Sequence, residues 1–335
     1  MTTQGNVIGP DAAAPPIEIV PEFGSEVSVV MTVLNEERHL AEAVGAVLDQ
    51  DFVGSIEVIL ALGPSSDGTD AVAAELARAD SRVRTVANPT GRTPAGLNAA
   101  LAVAQASIIV RVDGHCALPR DYISTAVETL IRTEADNVGG GMAAEGTTTF
   151  GELGGAEGEA PTVYLGVFRA DALARVGGYD ETFDRAQDWE MNHRIRATGG
   201  KIWFNPKMQV SYRPRPTMRA LSRQYFQYGT WRREVMRRHP ETVQARYLAP
   251  PLAVAGIVTG AAAGLAAQTG VAPRWFGVGW LAPVGYIAAV SLGGLAISRN
   301  APLPVRARVP AVLAAMHMSW GTGFITSRSQ RRPQG

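Results

Sequence analysis

The sequence is nearly devoid of cysteine and has no excess of charge of either sign. Its one thiol, Cys116, cannot close an internal disulfide, so nothing points to an oxidising compartment. Basic and acidic residues balance at 31 each. A general nucleic-acid binder carries a basic excess, so no nucleic-acid partner is expected. The first 24 residues are rich in Pro, Gly and Ala and lack an apolar core behind a basic start. They read as a flexible tail rather than a signal peptide, which leaves the following region in the cytoplasm by default. There is no internal repeat. No Gly-x-Gly-x-x-Gly follows the first apolar run, where Asn35-Glu36-Glu37 stands instead, which argues against a dinucleotide-binding dehydrogenase.

What is present is an alternation of short apolar runs and helical patterns. VSVVMTVL (27–34), IEVILAL (56–62), VRTVAN (83–88) and SIIVRVD (107–113) read as strands. Helices are expected from Asn35 onward with a stripe of Leu40, Val44, Val47 and Leu48, over 70–79, and over 94–106. This spacing predicts an α/β fold with a mostly parallel sheet covered on both faces. Ligands bind beyond the carboxyl ends of such strands, where Leu34-Asn35-Glu36, Ser65-Ser66-Asp67 and Asp113-Gly114-His115 fall. Further strands are expected at 137–144 and 162–169, joined by a Gly-rich linker. A helix should start near Asp188, and KIWF and QVSYRPR read as short extended pieces.

The C-terminal third changes character. Residues 217–240 form a basic helix with Tyr225, Phe226, Tyr228 and Trp231, the pattern of a helix lying in a membrane interface; packing of those aromatics on the domain is the alternative. Residues 248–268 and 275–297 carry no charge and match the roughly 20 residues that cross a bilayer. A third segment, 309–326, is shorter, contains His317 and either spans or lies shallow. With a cytoplasmic catalytic domain, two spans return Arg299, Arg306 and Arg308 to the cytoplasm, as positive-inside asymmetry requires. The expected organisation is a tail (1–24), a catalytic domain (25–216), an interfacial helix (217–240), a multi-pass cell-membrane region of two or three helices (248–326) and a basic tail (327–335).

Asp113 with His115 two positions on could hold a divalent cation, Mn²⁺ or Mg²⁺, against a diphosphate; an Asp at a strand end also caps turns. Asp188 and Glu190 open a helix, where carboxylates serve as general bases or simply as dipole partners. Asp67 could bind a base or ribose or shape its turn. Arg92 could meet phosphate, and Asn98 could orient a neighbour.

The ordered series VLNEE, SSDGT, GRTPAGLN, VDGH, VGGYDE and QDWEMNHRIR resembles the family 2 glycosyltransferases of the GT-A fold. It looks most like their membrane-bound branch of succinoglycan-type polysaccharide glucosyltransferases. The resemblance implies an inverting transfer of sugar from a nucleotide-diphosphate sugar to a lipid-linked or membrane-proximal glycan in cell-surface polysaccharide synthesis, with membrane lipid as a further partner. It assigns Thr32, Asn35, Glu36 and Asp67 to the nucleotide pocket. Asp113 would contact the sugar-diphosphate and, with His115, the metal. Asp188 would be the catalytic base, and Arg194 with Gln227, Trp231 and Arg232 would close the donor site. The chain departs from the family in three places. Leu62-Gly63 replaces an Asp-Asp, His115 replaces an Asp, and the stretch between Thr149 and Thr162 is shorter than usual. These departures leave a degenerate, non-catalytic membrane scaffold as the alternative reading.

Overall fold

The computed structural model describes residues 23–116, 118–144, 156–212 and 217–328. Most of the expected N-terminal tail, most of the Gly-rich linker and most of the basic C-terminal tail lie outside them, while Phe23, within the expected tail, packs against the core. The chain runs β1 (Glu26–Val33), α1 (Leu40–Leu48), β2 (Ser55–Leu62), α2 (Thr69–Ala79), β3 (Val83–Ala87), α3 (Thr93–Leu101), β4 (Ile108–Asp113) and α4 (Tyr122–Thr133). It continues with β5 (Asn137–Ala144), β6 (Gly158–Glu159), β7 (Tyr164–Arg169), α5 (Ala170–Arg175), α6 (Gln187–Ala197) and β8 (Ile202–Tyr212). Then come α7 (Met218–Arg238), α8 (Ala245–Gln268), α9 (Leu281–Ile297), α10 (Leu303–Arg306) and α11 (Val309–Thr326).

The strands form one mixed sheet in the order β3-β2-β1-β4-β7-β5-β8-β6. Its first four strands are parallel, and β7 enters antiparallel between β4 and β5. Parallel strands buried on both faces need near-continuous apolar sequence, and β1, β2 and β4 supply it. One face packs Val29, Met31 and Val110 under α1 and α4; the other packs Val30, Ile59 and Ile109 under α3, α5 and α6. Registers Val33 to Leu62 and Thr32 to Asp113 bring the carboxyl ends of β1, β2 and β4 to one rim.

Several local details differ from the sequence reading. The helix expected to reach residue 106 ends at Leu101. The amides of Gln105 and Ala106 leave the helix because Glu57 Oε1 (2.8 Å) and Ser28 Oγ (2.9 Å) accept from them. The sequence reading leaves 114–136 without a helix, yet α4 forms there, burying Ile123, Ala126, Val127 and Leu130 at helical spacing. The two extended pieces near 202 and 212 join as one strand, with a register shift opposite Gly139–Gly141 absorbing the Asn205-Pro206 interruption.

α8 and the segment 274–297, a 3₁₀ turn leading into α9, are each 24 residues and apolar enough to cross a membrane by length and composition. Only 11% of either apolar window is buried. Leu252, Val258, Ile287 and Leu292 point outward. α11 does not meet the same length and composition and packs along α7 instead. Gly229 of α7 and Gly323 of α11 sit against each other's helix so closely that a Cβ on either would strike Trp320 or Phe226 backbone.

Candidate active site

The rim is built by two loops that hydrogen-bond each other. Asn35 adopts φ 57°, a left-handed conformation that Asn tolerates better than most residues. Its Oδ1 accepts from the Ser66 amide (2.8 Å), and its own amide donates to Ser65 Oγ (3.1 Å). The Glu36 amide donates to Thr69 Oγ1 (2.8 Å) and the Glu37 amide to Asp67 Oδ2 (3.3 Å). Asp67 Oδ1 accepts from the Thr69 amide (3.1 Å) and hydroxyl (2.5 Å). The Thr69 hydroxyl bond is the main cause holding this carboxyl below its ordinary pKa. Asn35 and Asp67 thus lock the β1 loop to the β2 loop and shape the rim themselves.

Beside this rim stands a charged residue the sequence reading passed over. Arg111 lies in β4 two positions before Asp113, so the two share a face of the sheet. Arg111 is buried, and its guanidinium donates to Asp113 Oδ1 (2.9 Å) and to Asp188 Oδ1 at the start of α6. Burial alone would lower its pKa; the charge and hydrogen bond of Asp113, together with Tyr179 and Tyr164, outweigh that and raise it. The pair is completed by Tyr164 of β7, whose hydroxyl donates to Asp113 Oδ2 (3.2 Å). Burial, then the Asp113 charge, push the Tyr164 phenol far above its ordinary pKa, so it stays a donor. Cys116 Sγ lies 3.7 Å from the same hydroxyl, and burial pushes its thiol up to about 11. A lone arginine inside an otherwise apolar strand was the available signal for Arg111, because an unpaired buried charge is not tolerated.

Asp188 owes its place to Ala186, which adopts φ 62° just before α6. A non-glycine residue there costs about 1 kcal/mol or more. His115 Nδ1 lies 2.9 Å from Glu36 Oε1. Beside a carboxylate that nitrogen carries the hydrogen, which leaves the ring in the tautomer whose Nε2 bears a lone pair. Metal-ligating histidines use this arrangement. Asp113 oxygen and His115 nitrogen therefore fit a divalent cation as a donor set, with Glu36 as the orienting partner.

The other expected residues have structural partners. Arg92 Nε donates to Asp184 Oδ1 (2.5 Å). Asn98 ties α3 to the turn before α6, donating to the Tyr179 carbonyl (2.8 Å) and Glu181 (3.0 Å) and accepting from the Tyr179 amide (2.8 Å). Glu190 is buried, and Arg194 grips both its oxygens (2.6 and 2.7 Å) while donating to the Val176 carbonyl (2.5 Å). Trp231 packs on Phe183, ring centres 6.0 Å apart. Arg232 lies over Trp189 (4.6 Å) and Tyr247 (4.2 Å), joining α7 to α6 and α8. Gln227 lines a cavity of about 500 Å³ with Arg185, Arg219 and Arg223. Trp231 and Arg232 line a second one of about 610 Å³, with Ala186, Arg246, Tyr247 and Trp320.

A mostly parallel sheet with carboxylates gathered at its strand ends, followed by apolar helices, is the architecture of a GT-A glycosyltransferase. The chain belongs to glycosyltransferase family 2. Residues 28–157 match the family model described as Glycosyl transferase family 2. The succinoglycan biosynthesis protein ExoA of Rhizobium meliloti (strain 1021) is 32% identical over 321 residues, covering 88% of this chain and 93% of that protein. The putative glycosyltransferase EpsE of Bacillus subtilis (strain 168) is 39% identical over 93 residues, 27% of this chain and 33% of EpsE. Among solved structures, the mannosyltransferase PcManGT from Pyrobaculum calidifontis, in complex with GDP-Man and Mn²⁺, superposes with a TM-score of 0.60 at 16% identity. That match covers 90% of this chain and 88% of PcManGT. S. aureus TarS 1–349 superposes with a TM-score of 0.50 at 14% identity, covering 90% of each chain. The protein is a glycosyltransferase of polysaccharide biosynthesis.

Proposed function

We propose that this protein inverts configuration at the anomeric carbon while moving a sugar from a nucleotide-diphosphate sugar to a lipid-linked or membrane-proximal glycan. The observation that carries this reading is Arg111, whose guanidinium holds Asp113 and Asp188 in one pocket. The donor diphosphate meets the Asp113 side and the acceptor meets Asp188. The acceptor hydroxyl attacks the anomeric carbon, the bond to the diphosphate breaks on the opposite face, and Asp188 takes the hydroxyl proton. Thr32, Asn35, Glu36 and Asp67 border the nucleotide, and Arg92 and Asn98 hold the loops that frame it. Asp113 and His115 would hold a divalent cation, Mn²⁺ or Mg²⁺, which when bound would supply positive charge to the leaving diphosphate. Glu190 and Arg194 fix α6, and Gln227, Trp231 and Arg232 fix α7 beside it.

The aromatic and arginine-lined cavity beside Ala186 supports an acceptor approaching from the C-terminal helices. The outward apolar faces of α8 and α9 support two membrane spans, with α11 packed on α7; Arg299, Arg306 and Arg308 after the second span favour a catalytic domain on the cytoplasmic side. Asp188→Asn tests the reading. Transfer to a lipid-linked acceptor in membranes should fall about 10²- to 10⁴-fold. Stabilisation of the protein by the nucleotide-sugar with Mn²⁺ should persist. Transfer at the normal rate in this variant removes Asp188 from the base role.

A further inference from the structure

On the side of α6 away from Arg111, two imidazoles and a carboxylate converge from three segments. His193 belongs to α6, His239 ends α7, and Glu241 sits in the 3₁₀ turn 240–242 that follows. One donor atom from each lies within 4.8 Å of the other two, the one such group of three among the described residues. We propose that His193, His239 and Glu241 form a second cation site, one that takes Zn²⁺ and clamps α6 to the connection between α7 and α8.

The spacing suits that ion. Zn²⁺ bonds of about 2.0–2.1 Å in a tetrahedron set neighbouring ligand atoms about 3.3 Å apart. His193 Nε2 lies 2.8 Å and His239 Nδ1 lies 3.6 Å from Glu241 Oε1, on either side of that value. The rings are already oriented. His193 stacks on Trp189 with planes 6° apart, and His239 meets His193 edge-on, centroids 4.6 Å apart. His239 Nε2 faces Glu190 Oε1 at 3.7 Å, so a carboxylate stands behind the ligand ring, as metal-bound histidines use. Of the arginines nearby, Arg194 is engaged by Glu190 and Arg238 by Glu234 and Asp180, while Arg196 adds positive charge near His193 that the Glu241 carboxylate opposes. Glu241 is 59% exposed and gives an ion its way in from solvent. Two nitrogens with one oxygen select a borderline metal such as Zn²⁺ over Mg²⁺. No residue is shared with the Asp113–His115 pair, and the site does not depend on how sugar transfer proceeds.

The test uses the full chain in detergent, purified without a histidine tag and stripped with chelator. Zinc titration by calorimetry, metal content and the visible spectrum with Co²⁺ report binding. We expect one equivalent of Zn²⁺ that persists in His115→Gln, is lost in His239→Gln and Glu241→Gln, and is not replaced by Mg²⁺. At a hundredfold excess over Kd, zinc should raise Tm by several degrees, about 4 °C, in the parent chain and not in Glu241→Gln. Glu241 is exposed, so that variant keeps its fold even where His239→Gln does not. A parent chain without a zinc-dependent rise in Tm, or a Kd changed less than tenfold in a folded Glu241→Gln, overturns the proposal.

Discussion

The sheet domain and the C-terminal helices handle the same kind of residue in opposite ways. β1, β2 and β4 are built largely of apolar residues, as α8 is, and each is covered on both faces by helices of its own chain. α8 and α9 turn Leu252, Val258, Ile287 and Leu292 outward, more than half exposed among the described residues. An apolar run is therefore ambiguous until its partners are known. Within the sheet the partner is protein; around α8 and α9 the described residues leave that apolar surface open, as a membrane medium would require. Polar chemistry divides the same way. The rim and the Arg111 pocket are dense with side-chain bonds, whereas α8, α9 and α11 approach their neighbours closely at Gly260, Gly264, Gly294 and Gly321, and side-chain bonds gather where Thr230, Arg233 and Arg237 of α7 meet the end of α11.

The sharpest way to break this contrast is to place a deficit in the sheet. Arg111→Met leaves Asp113 and Asp188 crowded without their shared cation. Loss of one member of a buried pair costs about 3 kcal/mol or more. Denaturant unfolding should show that loss together with loss of nucleotide-sugar binding. Unfolding free energy within 1 kcal/mol of the parent (roughly the worth of an exposed pair) means that the bridge contributes little.

A charge in the outer region should act on location instead of on the sheet. Val258→Arg places an arginine mid-way along α8, where membrane insertion is penalised by roughly 2.5–3.5 kcal/mol. Fractionation should then show less protein in membranes while the circular dichroism of the soluble fraction keeps its strand signature. Unchanged partitioning would point to a protein partner covering α8.

Gly229→Leu addresses the joint between the regions. Overpacking costs about 1–3 kcal/mol, and the backbone of Trp320 cannot yield cheaply. A drop of several degrees in Tm is expected in detergent, and an unchanged Tm means that α7 and α11 are not held together as described.

The smallest effect concerns pH. Glu57 is held below its ordinary 4.5: burial opposes this, but bonds from Ser28, the Gln105 amide and Arg84 outweigh it. A depressed carboxyl contributes stability that is present above 4.5 and lost as pH falls through its folded value. Glu57→Gln should be less stable than the parent at neutral pH, and the two should converge below 4.5. A gap between them that stays constant with pH shows that the loss comes from shape rather than charge. The C-terminal spans carry no such group, so acid should loosen the sheet edge first.

Much of the rim was legible. Asn35, Asp67, Asp113 and His115 fall at strand ends in a chain whose strands have a clear period, and strand ends gather in one place. Asp188 was legible as a helix-start carboxylate, but its partner was not. Arg111 read as part of a strand because hydropathy averages over a single charge. Asn98 and Arg92 were expected near ligand, yet their bonds run to the 179–184 turn, more than eighty residues along the chain. α4 was not legible because turn residues follow Asp113 directly and charged and hydroxyl residues interleave its apolar positions Ile123, Ala126, Val127 and Leu130.

By itself the sequence determined the alternation of strands and helices, the position of each rim loop and the two long uncharged segments, because these depend on local period, local turn chemistry and length. The tertiary structure decided which carboxylates share Arg111, to which distant segments Arg92 and Asn98 bond, and that His193, His239 and Glu241 meet at all. Those pairings join segments far apart in the chain, and only packing sets the distances on which charge and coordination depend.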